Sequence, residues 1–446
     1  MTKARVVVPV GLVILVVLVF ALPVAPTQSR PMVEWVSLIS EQMFPAKILA
    51  NAGTPAKSVE GSVLCDPKSS MRIRVRSSKP QTHIHVDVKM DYFFADTSSC
   101  DAVLERPGQI YVVAPTPRWD AHRLAYNDQS YPTTVFINVR ADGQEVGQKT
   151  QRLQMRAVND IPLGALDEDQ RLVNWGPALF GAFVNENSRV VEMLLTDAKH
   201  WNAVADFTGY DRGSDGVTMQ VFAVWNALQH RGVKYASIVR ASGYSETVNS
   251  QTVRFLEQTV QDSQANCVDG SVLFASVLYK IGIETVLVLK PGHMFVGYYR
   301  ENHLGGPNPD PRFKSTTVAP VTADLEFLET TKIGNGPPLP NRPFDKAWPV
   351  DCGSDLKCKG ELDAAAKECE EKYEKEDAVK ECIMEKEFGI SYREFNDATQ
   401  AGNVEFYGKG KDDPDAVLPH WLKQEQLYTC MRVRNLRARG INPIPR

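Results

Sequence analysis

An excess of positive charge is the clearest absence from this 446-residue sequence. Lys plus Arg number 50 against 54 Asp plus Glu, a net charge of −4. Without a basic footprint, nucleic acid is excluded as the main partner. The eight cysteines contain no C-x-x-C pair, which removes a zinc ribbon. No internal repeat is visible, so solenoids and propellers are out. Long apolar runs are missing after residue 30, which limits the chain to one membrane span at most. Histidine is scarce at eight residues, so each can be weighed singly. What is present is ordinary globular material: 43% hydrophobic and 23% charged residues exclude wholesale disorder, collagen and simple coiled coil.

The one long apolar run lies at the N-terminus. Lys3 and Arg5 precede an uncharged stretch over 6–25. Its length is borderline between a signal-peptide core and a span of about 20 residues. Residues 1–30 are therefore expected to be an uncleaved signal anchor or a cleaved signal peptide, either of which places the rest outside the cytoplasm. Cysteine usage agrees, because an oxidising compartment pairs thiols. Cys65 and Cys100 flank one strand-rich region and are candidates to pair. Cys352, Cys358, Cys369, Cys382 and Cys430 gather late in the chain. Setting Cys267 aside leaves an odd number, so one more thiol is free or pairs with another chain.

Residues 61–160 alternate apolar and polar positions at 71–77, 82–90, 109–115, 133–141 and 151–158. Period two predicts strands, and Asp142-Gly143 predicts a hairpin turn. Five strands in this space predict an antiparallel β-sandwich. His83 and His85 share one strand face. A metal site is one reading, but no third ligand is visible nearby, so two surface histidines is the preferred one.

Residues 170–335 change character. Three- and four-residue apolar spacing predicts helices over 187–205 and 217–232. A short extended piece is expected at 233–239. A further helix is predicted from Asn266 or Cys267 until Gly282, followed by strands at 285–290 and 294–299 and another within 324–334. The order implies an α+β domain. Residues 301–324 read as a long loop and 336–350 as a linker. Residues 351–446 read as a small helical, Cys-containing region. Cys369 and Cys382 would staple a hairpin in which Asp377 caps a short second helix, and 361–386 would be a solvated appendage. Five arginines fall among the last sixteen residues.

Chemistry concentrates at 265–300. Cys267 would occupy the first turn of a helix, where free N–H groups and a partial positive charge stabilise a thiolate and a developing oxyanion. His293, after Pro291-Gly292, opens a strand that can bring an imidazole to the sulfur. Such a pair activates the thiol and protonates a leaving group. A third, acidic member would orient the ring. Asp324, Glu326 and Glu329 lie on the next strand candidate.

This stretch resembles the transglutaminase-like cysteine enzyme superfamily, related in architecture to papain-like thiol proteases. A Cys-x-Asp-Gly block opens the helix at Cys267, Asp269 and Gly270, continuing through Leu273, Phe274 and Ala275. Gly282 and Ile283 lead into the next strand. Gly292, His293, Phe295 and Val296 form the Gly-His-x-aromatic-Val block. Glu329, Thr330 and Thr331 stand at the third block, where the family carries Asp. The 36-residue separation of His293 and Glu329 is also long for the family. The resemblance covers 265–331, and more faintly reaches back to Trp175; it leaves out the predicted sandwich and the C-terminal region.

The resemblance implies a papain-like or transglutaminase-like core with Cys267, His293 and Glu329 as catalytic residues and Glu326 as the other candidate acid. Asp269 would support structure, and Trp225 or Tyr235 could complete the oxyanion hole, although each reads more simply as core. The implied activity is extracytoplasmic acyl transfer on peptide or amide bonds, as a peptidase or amidase, with a transamidase as the variant outcome. No cofactor or metal is implied; the acidic run at 409–415 is a thin basis for calcium. The implied partners are a peptide or protein substrate and, through residues 1–30 if uncleaved, a membrane. The location would be the periplasm or cell envelope. The alternative is a non-catalytic transglutaminase-like binding or scaffolding protein of the envelope.

Overall fold

The computed structural model describes residues 33–52, 63–166, 172–173, 176–200, 203–237, 247–302, 324–334, 364, 367–407 and 429–445. The N-terminal apolar run, the 336–350 linker, the acidic run at 409–415, Cys352 and Cys358 lie outside these. Among the described residues no helix is long and apolar enough to cross a membrane.

The fold is α+β. Two sheets come first. One has the order β1 (Val33–Ser37), β4 (Ile73–Ser77), β7 (Ile110–Ala114), β3 (Val63–Cys65). The other runs β2 (Gln42–Met43), β9 (Gln144–Met155), β8 (Tyr131–Ala141), β5 (Thr82–Met90), β6 (Ser98–Leu104). Pairing is antiparallel except for β3 with β7 and β2 with β9. The alternation read from sequence is what builds them: Ile84, Val86, Val88 and Met90 of β5 are buried while His83 and Lys89 are exposed. Asp142 and Gly143 both adopt positive φ, 49° and 78°, in the tight β8–β9 turn. A disulfide joins Cys65 of β3 to Cys100 of β6 and so ties one sheet to the other. The helices α1 (Pro45–Ala50) and α2 (Ala121–Ala125) complete this half.

The expected boundary near residues 160–170 falls inside a strand. β10 (Asp160–Leu166) pairs with β11 (Leu172–Val173) and with β13 (Val248–Thr252), so the two halves share a sheet. Buried Arg156 reinforces the join. It donates to Asp160, Gln42 and Ser250, and Thr252 donates to the same Asp160. One hydrophobic core runs through both halves.

The second half packs α3 (Arg189–His200), α4 (Gly213–His230) and α6 (Cys267–Lys280) on one face of an antiparallel sheet. The short helix α5 (Leu256–Gln261) lies in sequence between β12 (Lys234–Tyr235) and β14 (Gln264–Ala265), which pair in parallel. The sheet order is β17 (Leu325–Leu328), β16 (His293–Tyr299), β15 (Thr285–Lys290), β18 (Thr429–Arg432). Its opposite face holds a second core of Val286, Val288, Phe295, Phe327 and Phe406. The ends of the long 301–324 segment are pinched together: Arg300 N–H donates to Asp324 O at 2.9 Å and Glu301 N–H to its carboxylate at 3.2 Å. Closing a long loop costs little more than closing a short one, so the wide His293–Glu329 spacing is compatible with a tight β16–β17 pair.

The C-terminal region departs most from expectation. Residues 371–375 are exposed, as a solvated stretch would be, and Cys369 and Cys382 form the predicted disulfide. The following helix is not short. α7 (Glu376–Tyr407) has 32 residues, and Asp377 sits within its first turn rather than at its cap. Phe395, Ala398 and Phe406 on α7 are buried against α4 and β17. β18 then supplies an edge strand to the sheet, and α8 (Val433–Ala438) packs on the 3-10 turn Pro177–Phe183. Three of the tail arginines pair with this chain's own acids. Arg432 and Arg434 both pair with buried Glu284, at 2.7 and 3.0 Å, and Arg437 pairs with Glu186. Among the described residues Cys430 on β18 is the second free thiol, buried, with burial pushing its pKa up to about 12.

Glu284→Ala leaves the buried Arg432 guanidinium without its carboxylate. The expected cost is about 3–5 kcal/mol, read as a lower urea midpoint; a loss below about 1 kcal/mol, the range of a surface pair, would show that the C-terminal strand is not anchored through this site.

Candidate active site

Cys267 is the first residue of α6 because Asn266 caps the helix. The Asn266 side-chain oxygen accepts from the N–H groups of Val268 and Asp269, both at 2.9 Å, and the Asp269 carboxylate returns to the Asn266 N–H at 3.2 Å. This is a capping box, and such caps contribute about 1 kcal/mol. Asp269 is buried and fully engaged, because Arg254 also donates to it through its backbone N–H at 2.8 Å and its guanidinium at 2.7 Å. That supports the structural reading of Asp269. The cap leaves the Cys267 N–H without a protein acceptor among the described residues. The thiol itself is half-buried and not in a disulfide.

His293 begins β16 after a turn in which Gly292 takes φ +74°, with Lys290 as its register partner across the hairpin. Glu329 follows the last residue of β17 and caps a 3-10 turn over Thr330–Lys332. The register of Val296 with Leu328 brings the two together. His293 Nε2 lies 2.7 Å from Glu329 Oε2. The other Glu329 oxygen accepts from the Thr331 N–H at 3.0 Å and the Thr331 hydroxyl at 2.6 Å, which fixes the carboxylate plane. With Nε2 engaged by Glu329, Nδ1 is the imidazole nitrogen left for Cys267, which stands close enough to help raise the His293 pKa. The ring also stacks on Phe295.

The acid's turn is locked to the cysteine helix by close approach. A Cβ on Gly270 would stand 2.9 Å from Thr330 Cβ and Oγ1, so only glycine admits Thr330 there. Thr330 Oγ1 donates to Cys267 O at 3.4 Å, and Ser271 Oγ donates to the same carbonyl at 2.6 Å. Cys267, His293 and Glu329 thus meet at the junction of α6, β16 and β17. Glu326 does not join them: it accepts from Tyr298 OH and pairs with Arg300, each at 3.2 Å.

Electrostatics follow from this geometry. Burial is the largest influence on His293 and opposes its charge. Hydrogen bonding to Cys267 and Glu329, with the Glu329 and Cys267 charges, outweighs burial, and the pKa is pushed up to about 9. Burial likewise opposes the Glu329 charge, yet its contacts with His293 and Thr331 hold it below the ordinary carboxylate value.

Of the two upstream aromatics, Trp225 is fully buried against Phe274 and Phe395 and belongs to the core. Tyr235 is exposed at the site. Its register partner is Ala265, two residues before Cys267, and its N–H donates to Ile333 O at 3.1 Å beyond Glu329. Burial first, then the nearby Cys267 and Glu329 charges, raise its pKa, so it is a protonated donor at neutral pH.

The histidine pair on β5 has a different setting. His85 lies between Asp101, 2.6 Å from Nδ1, and Asp87, 3.0 Å from Nε2, while Asp87 also takes Arg140 and Ser99. The Asp101 hydrogen bond is the largest cause of its raised pKa. His83 is exposed, and among the described residues no His, Cys, Asp and Glu group is disposed to hold a metal ion. The better-formed concavities, about 310 Å3 beside Ser188 and Glu257 and about 410 Å3 beside His83 and Arg140, do not include Cys267.

Two supports of the site went unread in the sequence. Arg254 gives no local signal, since only the fold brings it to Asp269. Thr331 stood in the third block but its grip on Glu329 depends on the turn that follows the strand. No protein-family model matches the chain, and no curated protein matches it.

In Glu329→Gln the His293 titration should fall by about one to three units, the effect of removing an adjacent opposite charge, followed by NMR of the imidazole nitrogens. In the wild type, the raised His293 value gives stability that is full below 6.5 and lost as pH rises through about 9. The lowered Glu329 value gives stability that is present above 4.5 and lost as pH falls through its depressed value. A His293 titration unchanged in Glu329→Gln would contradict this account of the pair.

Proposed function

We propose that the chain is an extracytoplasmic cysteine enzyme with a transglutaminase-like, papain-related core that transfers acyl groups from peptide or amide bonds, with hydrolysis as its outcome. The observation that carries this reading is the meeting of three residues from separate elements: a cysteine at a capped helix start, an imidazole beside its sulfur, and a carboxylate on the far ring nitrogen. A buried core histidine would not need all three. The block-by-block resemblance over 265–331 supports the same reading.

The steps follow from the atoms. His293 Nδ1 takes the Cys267 proton, giving a thiolate and an imidazolium that Glu329 stabilises. The sulfur attacks the amide carbonyl carbon, and the carbonyl oxygen becomes an oxyanion. The Cys267 N–H faces that charge, with the Tyr235 hydroxyl as the second donor. The C–N bond then breaks, His293 gives its proton to the leaving amine, and a thioester remains. Water, deprotonated by His293, attacks the thioester, releases the carboxylic acid and restores the thiol. An amine in place of water gives transamidation. No step needs a cofactor.

The compartment rests on the two disulfides among the described residues, which are the chemistry of an oxidising environment. Residues 1–30 supply the export signal or anchor in this reading.

Alkylation of the soluble chain from residue 31, read by mass spectrometry across pH, tests the pair. Cys267 should react faster than an ordinary thiol at neutral pH, and His293→Ala should slow it by about 100-fold. Peptide turnover should vanish in Cys267→Ser. A thiol that reacts equally fast in His293→Ala would sink the catalytic reading and leave a transglutaminase-like binding protein.

A further inference from the structure

β17 is an edge strand, and edge strands leave alternate N–H and C=O groups without a ladder partner. Here the outward groups belong to residues 325, 327 and, just past the strand, 329. A helix answers one group at each of these three residues. Tyr407 OH donates to Leu325 O at 2.8 Å, the Phe327 N–H donates to Asn403 Oδ1 at 3.0 Å, and the Glu329 N–H donates to Ala398 O at 3.0 Å. The partners descend α7 as the strand ascends, so helix and strand run antiparallel.

The spacing explains why a helix can do this. Two strand residues advance about 6.6 Å. Four or five helical residues advance about 6 to 7.5 Å. Ala398, Asn403 and Tyr407 therefore meet every second residue of β17. Contact this close requires glycine: a Cβ on Gly402 would stand 2.6 Å from Phe327 O and 2.7 Å from its carbonyl carbon. The same helix reaches the other arm of the site. Glu405 pairs with Lys290, the register partner of His293.

We propose that α7 serves as a surrogate edge strand that sets the position of Glu329 against His293, with Gly402, Asn403 and Glu405 as positioning residues. Gly402 and Asn403 act through the β17 main chain, and Glu405 acts through Lys290. The C-terminal region is then part of the active-site machinery, although none of these residues touches substrate. The inference rests on the proposed acyl-transfer reading for its consequence in catalysis, but its geometry can be tested without catalysis.

The test uses the full chain and three variants. Asn403→Leu removes the acceptor for the Phe327 N–H, Gly402→Ala forces the helix off the strand, and Asn403→Asp keeps an acceptor oxygen. Folding of each is verified by circular dichroism and thermal melting. The first readout is the His293 imidazole titration by NMR. It should fall by about one unit or more in Asn403→Leu and Gly402→Ala, because the carboxylate moves away, and recover in Asn403→Asp. The second readout is peptide turnover, where kcat should drop about ten-fold or more with KM little changed, as for a misplaced catalytic group. A titration that moves in a chain with no turnover upholds the positioning role and sinks the acyl-transfer reading. An unmoved titration in folded Asn403→Leu and Gly402→Ala overturns the positioning role, whatever the turnover.

Discussion

The 2.7 Å contact between His293 Nε2 and Glu329 Oε2 is the interaction on which the site's chemistry depends. It selects which ring nitrogen faces Cys267, and it holds an imidazolium in a half-buried place where water alone would not. Burial works against both charges, and each group helps the other to keep its charge. The carboxylate is itself fixed by the Thr331 hydroxyl and main chain. A flexible glutamate, one methylene longer than aspartate, becomes as constrained as the shorter acid when both of its oxygens are occupied.

Two glycines let the surrounding elements come close enough to enforce that contact. Gly270 admits Thr330 against the first turn of α6, and Gly402 admits α7 against β17. The acid's turn is thereby pressed from two sides. Elsewhere the chain closes on itself through charge. Arg432 and Glu284 seat the last strand beside β15, and Arg437 binds the carbonyls of Gly181 and Val184 next to its pair with Glu186. The strand carrying His293 therefore sits inside a sheet whose two edges, β17 and β18, are both secured by late sequence.

Much of the site was legible because its signals are local. Asn266 and Asp269 mark the helix start, Gly282 at φ +80° ends it, and apolar runs at 285–290 and 294–299 become the central hairpin. What could not be read depends on contacts between distant residues. The sequence SSCDAVL carries weak strand propensity, yet β6 forms because β5 offers it a ladder and Cys65 a disulfide. β18 has four residues and gains its place only by pairing with β15. The spacing of Cys369 and Cys382 suggested a short hairpin, whereas burial of Phe395, Ala398 and Phe406 carries α7 far beyond it. The resemblance pointed to Glu329, with Glu326 as the other candidate acid; strand β17 ends at Leu328, and the turn that follows sends Glu329 to His293 while Glu326 stays with Arg300.

The central claim is that Cys267 and His293 form a thiolate–imidazolium pair, and the ultraviolet absorbance of the thiolate reports it directly. A pH titration of the full chain against Cys267→Ser isolates that one sulfur. The account predicts Cys267-dependent thiolate absorbance at neutral pH that is lost in His293→Ala. Cys267-dependent absorbance that is the same in His293→Ala would contradict it.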